Sequence, residues 1–86
     1  MRLTVTQDDV IASLRRRLVK EYGGVPAQVA QVDFVDVQED PGHTMAYIYL
    51  ADDECVPVLF TTPAFFDPVE AETALMRGDV GAVRVH

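Results

Sequence analysis

The chain contains one cysteine, one serine and no asparagine. A lone Cys55 excludes an intramolecular disulfide, and the missing asparagine excludes N-linked glycosylation. No apolar run approaches the roughly 20 residues a membrane helix requires, so the membrane is not an expected partner. The first residues lack the basic-then-apolar order of a secretory leader. Together with the unpaired thiol, this gives a cytoplasmic expectation. Basic residues are scarce too: 7 Lys and Arg stand against 14 Asp and Glu, for a net charge of −7. Such a field repels phosphate backbones, so nucleic acid is not an expected partner either.

Recognisable chemistry is also missing. Neither a phosphate-binding glycine loop nor a dinucleotide fingerprint is present. Ser13 falls inside a helical pattern and not on the tight strand-to-helix elbow that a nucleophilic serine needs. Asp52, Asp53 and Glu54, with Glu39 and Asp40, supply carboxylates, but not at the alternating spacing with a glycine bend that holds calcium. They read as polar turns. Asp33 and Asp36 fall on opposite faces of one strand, so they cannot form an acid–base pair. No metal or cofactor is expected, and the role expected is non-enzymatic.

Of the 86 residues, 49% are hydrophobic and 24% charged, the balance of a folding chain and not of a disordered one. Residues 1–86 are read as a single α+β domain. Thr6 and Asp9 form a capping box, with Val5 and Val10 at the staple positions. From there Val10, Ile11, Leu14, Leu18 and Tyr22 recur at helical spacing, while Arg16 and Lys20 fall opposite. This predicts a helix over about Gln7–Tyr22, stopped by Gly23 and Gly24. Strands are expected from about Gln31 to Val37, from Thr44 to Leu50 and from Cys55 to Thr61, with turns at Glu39–Gly42 and Asp52–Glu54. Pro57 cannot donate to a ladder, so the third strand is expected at an edge or with that position turned outward. Asp67, Pro68 and Glu70 then mark the start of a second helix, with Phe66 and Ala71 at its staple positions, that ends at Gly78. The predicted architecture is helix, three-stranded antiparallel meander, helix, with Val83 and Val85 available for a short fourth strand.

Three constellations bear on function. The bases Arg15, Arg16, Arg17 and Lys20 share one helix and could meet an anion, although a solvated face in an acidic protein accounts for them, and basic residues suit a helix C-terminus. Cys55 and His43 lie on or beside strands expected to pair, so together with Tyr22 they are candidate polar groups of a pocket between helix 1 and the sheet, the alternative reading being a small-ligand binder or minor enzyme. The third constellation is the sheet itself. If both helices cover Ala46, Ile48, Leu50, Val56, Val58 and Phe60, then Val35, Val37, Met45, Tyr47, Tyr49 and Leu59 point away from them. Tyrosine and methionine are enriched at interfaces. A homodimer with sheets face to face, or another protein partner, is the expected cover; the alternative is Phe65–Phe66, a helix or the C-terminal tail folding across within the chain.

The Thr6–Ala12 segment, the Val25–Val29 turn and Ala46-Tyr47-Ile48-Tyr49 resemble the YxcD-like group of short bacterial proteins. That resemblance implies a compact α+β domain and assigns no site. The element order also resembles that of double-stranded RNA-binding domains, with Pro41-Gly42-His43 where that family has a Gly-Pro-x-His loop. That family meets phosphates with a lysine-rich start to its second helix. Here the corresponding stretch carries Asp67, Glu70 and Glu72.

Overall fold

The computed structural model describes residues 5–26 and 28–77. Helix α1 spans Gln7–Tyr22, followed by strands β1 (Val29–Asp36), β2 (His43–Leu50) and β3 (Cys55–Thr61) and helix α2 (Pro68–Arg77). The sheet is an antiparallel meander of order β1-β2-β3. The predicted αβββα order is therefore the observed one. The segment with Val83 and Val85, considered for a fourth strand, and Gly78 lie outside the described residues.

Local sequence explains each boundary. The Thr6 side chain accepts the Asp9 amide at 3.2 Å, and the Asp9 carboxylate accepts the Thr6 amide at 2.9 Å. Two amides that the helix cannot satisfy itself are thereby paired. At the other end Gly23 takes φ +86°, a left-handed conformation that costs a residue with a Cβ, and its amide donates to the Val19 carbonyl. Asp67 caps α2, accepting from Val69 and Glu70 at 3.0 and 3.3 Å, while Pro68 occupies the first turn, where no donor is needed.

The β1–β2 connection closes on Asp40-Pro41-Gly42-His43, with the His43 amide donating to Asp40 and Gly42 at φ +87°. Proline second and a left-handed glycine third is the combination a type II turn requires. The β2–β3 connection places Asp53 at φ +72°, the one non-glycine residue with positive φ among those described. Its amide donates to Leu50, and Leu50 in turn donates to Glu54, as in a type I turn followed by a bulge.

β1 begins two residues earlier than its alternation predicts. The register skips between Val29 and Gln31, leaving Ala30 as the extra residue of a bulge. The bulge inverts the parity, so Val29 and Val32 both face the core, at 2% and 3% exposure. Strict period-two reading fails at such a point.

Both helices lie on one face of the sheet. Val10, Ile11, Leu14 and Leu18 of α1 and Ala71 and Leu75 of α2 close over Val32, Ala46, Ile48, Leu50, Val56, Val58 and Phe60, all buried. Burying a side chain such as Leu18 removes it from water at a gain of roughly 1.5–3 kcal/mol. Phe34, Phe60 and Phe66 meet edge to face, with centroids 5.2 to 6.1 Å apart. Phe66 is therefore committed to the helix side of the sheet.

Long-range polar contacts fix the helices in place. The Gln7 amide donates to the Asp67 carbonyl at 3.0 Å and accepts from the Asp67 amide at 3.2 Å, which joins the two helix starts. Arg15 donates to the Ala74 carbonyl at 3.0 Å, and Arg17 donates to the Leu59 carbonyl. The helices consequently run in the same direction. The basic cluster is split by this arrangement: Arg15 holds α2 and Arg17 holds β3, leaving Arg16 and Lys20 exposed.

Candidate functional site

The face of the sheet away from the helices is built in rows. Antiparallel register places Gln31, Tyr49 and Cys55 in one row, Asp33, Tyr47 and Pro57 in the next, and Val35, Met45 and Leu59 in a third. Partners directly opposite in an antiparallel sheet project to the same side. Val35 is 48% exposed, Leu59 38% and Tyr49 37%, while Met45, Tyr47 and Val37 are half-buried. No element among the described residues lies across this face. The six residues expected to point away from the helices therefore do form a continuous, partly solvated apolar band, with Val37 just beyond the end of β1.

Polar chemistry on the face is sparse. Asp33 accepts from the Gln31 side-chain amide at 3.0 Å. Partial burial holds the Tyr49 hydroxyl above the usual phenol range, with Cys55 and Asp33 adding to the effect. It remains a neutral donor at physiological pH, suited to a wet rim.

The proposed pocket residues are not brought together. Cys55 stands opposite Tyr49, and His43 stands opposite Thr61 at the other end of β2. Six residues of strand separate the two rows, roughly 20 Å. A thiolate–imidazole couple is thus excluded in this fold. Cys55 is also exposed on the open face and not buried as free cysteines usually are.

Tyr22 lies elsewhere again. Its ring packs against the core while its hydroxyl donates to Asp52 at 2.7 Å, tying the end of α1 to the β2–β3 turn. Asp52 uses its other oxygen to accept the Glu54 amide at 3.0 Å. The hydrogen bond from Tyr22 lowers the Asp52 carboxyl, and the same bond, with the adjacent charge, raises the Tyr22 phenol.

The depression between α1 and β3 has a volume of about 430 Å³ and is lined by Asp9, Ser13, Arg17, His43 and Thr61 among others. His43 is the only one of the three expected pocket residues on it. The imidazole Nδ1 lies 3.2 Å from the Asp40 carboxylate. Arg17 is already bound to the Leu59 carbonyl, so its presence there has a structural cause. Among the described residues no group of three or more His, Cys, Asp or Glu is placed to hold a metal, and no helix is long and apolar enough to cross a membrane.

Sequence reasoning missed the interlocks of Gln7 and Arg17 because their acceptors are backbone atoms 60 and 42 residues away. No local pattern carries that signal. Comparison with protein-family models, curated proteins and solved structures finds no match to this chain.

Proposed function

We propose that the chain is a non-enzymatic protein-interaction module that pairs with a second copy through its open sheet face. The observation that supports this reading is the band of Val35, Met45, Tyr47, Tyr49 and Leu59, which no described element covers while fourteen of the described apolar residues are buried on the other side. Aromatic and methionine side chains at the centre with a polar margin are the composition of an interface.

Magnitude sets the strength of the pairing. Three strands about 4.8 Å apart and eight residues about 3.3 Å long present roughly 350 Å² of projected face, or about 700 Å² for two copies. Stable interfaces usually bury more than about 1,000 Å², so the pairing belongs among the weak, reversible ones. Charge acts in the same direction. Two chains of charge −7 repel, and Asp33 stands inside the contact row, so added salt should strengthen the pairing by screening.

The test is light scattering of the purified protein at micromolar to millimolar concentration, at low and high salt, beside Tyr47→Lys. A concentration-dependent dimer that tightens with salt and is weakened about tenfold by the substitution is expected, since the lysine takes the tyrosine's apolar area out of the contact even though Asp33 stands opposite to pair with it. A monomer at every concentration, unmoved by Tyr47→Lys, would refute the reading.

A further inference from the structure

The two edges of the sheet are not equivalent. Backbone bonds from Val37 to His43 and from Leu50 to Glu54 fix which groups face inward. In an antiparallel ladder the direction alternates along each strand. On β3 the odd residues face outward, and that edge is closed to another strand. Pro57 has no amide to offer at its centre, and Arg17 already occupies the Leu59 carbonyl. On β1 the even residues Val32, Phe34 and Asp36 turn their amides and carbonyls outward. Among the described residues nothing is paired with them, and no proline interrupts them.

A groove of about 440 Å³ runs along this edge, lined by Val32 to Val35 of β1 and by Pro68, Val69 and Glu72 of α2. Val69 is 71% exposed and Val35 48%. Pro68 also meets Phe34 and Asp36 in an adjoining hollow, so α2 starts at that end of β1 and runs back towards Val32. Val69 therefore lies nearer the Asp36 end of β1, and Glu72 one turn further towards Val32. Each side of the edge offers one apolar and one acidic contact, in the same order.

We propose that the β1 edge is a second docking surface, which takes an extended segment of a partner protein bearing two adjacent basic residues and two adjacent apolar residues. Successive side chains of an added strand point to opposite faces. A basic pair thus sends one cation to Asp33 and one to Glu72, and an apolar pair covers Val35 and Val69. A second copy of this chain does not suit the edge, because it would bring Asp33, Asp36 and Glu72 against their own kind. The inference does not rest on pairing through the open face, although the two surfaces share Asp33 and Val35 and so compete for them.

The experiment uses the full chain, labelled with nitrogen-15, and an end-capped hexapeptide of sequence Thr-Lys-Lys-Val-Val-Thr at millimolar concentration. Selective slowing of amide exchange at Val32, Phe34 and Asp36 is expected, with little response at Met45, Tyr47 and Tyr49. Asp33→Lys combined with Glu72→Lys should weaken that peptide about tenfold and favour its Thr-Glu-Glu-Val-Val-Thr counterpart. Equal binding of the two peptides by the unaltered chain overturns the proposal without recourse to any variant. So does a response confined to the open face, or protection of the three amides in the free chain at low concentration.

Discussion

Removing the Gln7 side chain tests how the first and last described elements are joined. Its amide makes two hydrogen bonds to the backbone of Asp67, the residue that caps α2. Each neutral hydrogen bond contributes a net ~0.5–1.5 kcal/mol, and this pair is partly solvated, so Gln7→Ala should cost about 1–2 kcal/mol. In a domain of this size that corresponds to a fall in melting temperature of roughly 4–15 °C. Gln7→Glu is the sharper probe. It keeps the shape but loses the donor and sets a carboxylate against the Asp67 carbonyl, which should cancel the usual benefit of an acidic residue in a first turn. Urea and thermal unfolding followed by circular dichroism measure both variants. A Gln7→Ala variant within about 0.3 kcal/mol of the parent would show that apolar packing alone sets how α1 and α2 align.

Other outcomes follow from the same contacts. Arg17→Ala should cost about 1 kcal/mol by releasing the Leu59 carbonyl, whereas Arg16→Ala should stay within about 0.5 kcal/mol; equal effects in chemical denaturation would refute a division of labour in the basic cluster. Asp53→Gly should stabilise the fold by roughly 0.5–1 kcal/mol by relieving a left-handed aspartate, and a loss of stability would contradict that assignment of strain. The Tyr22–Asp52 bond contributes in a defined pH window. Asp52 is lowered in the fold, so its contribution is present above the ordinary carboxylate range and lost as pH falls through the depressed value; Tyr22 is raised, so its contribution is present below pH 10 and lost as pH rises through the elevated value. Tyr22→Phe should flatten the stability profile at both ends, and an unchanged profile would exclude the pair as a titrating contact.

Local chemistry made most of the architecture readable. The capping box at Thr6, the Asp67-Pro68 start and the left-handed Gly23 are decided by backbone donors within a few residues, so both helices lie at the positions predicted. Pro57 marked an edge strand for the same kind of reason. Ala30 was not readable, since a bulge depends on the partner strand. The exposure of Cys55 was within reach of the alternation in β3, which sets it on the face of Leu59 and opposite Val56, Val58 and Phe60. Phe65 and Phe66 illustrate the limit most clearly. Adjacent and chemically identical, they were candidates to fold across the open face, but Phe66 joins Phe34 and Phe60 under α2 while Phe65 remains half exposed.

The open face itself was legible because β2 is apolar on both sides: Ala46, Ile48 and Leu50 needed one cover, and Met45, Tyr47 and Tyr49 another. Two helices on the same side supply only the first. The interlocks that place them there, Gln7 to Asp67 and Arg15 to Ala74, belong to tertiary structure and leave no trace in periodicity.

The most direct measurement is the accessibility of the Met45 methyl group to a soluble paramagnetic agent across a dilution series, with Met76 on α2 as the internal reference. A second copy on the open face should shield Met45 at millimolar concentration and release it on dilution, while Met76 stays unchanged. Shielding that persists at the lowest concentration would mean the chain covers its own sheet, and a Met45 exposed throughout would mean that nothing docks there.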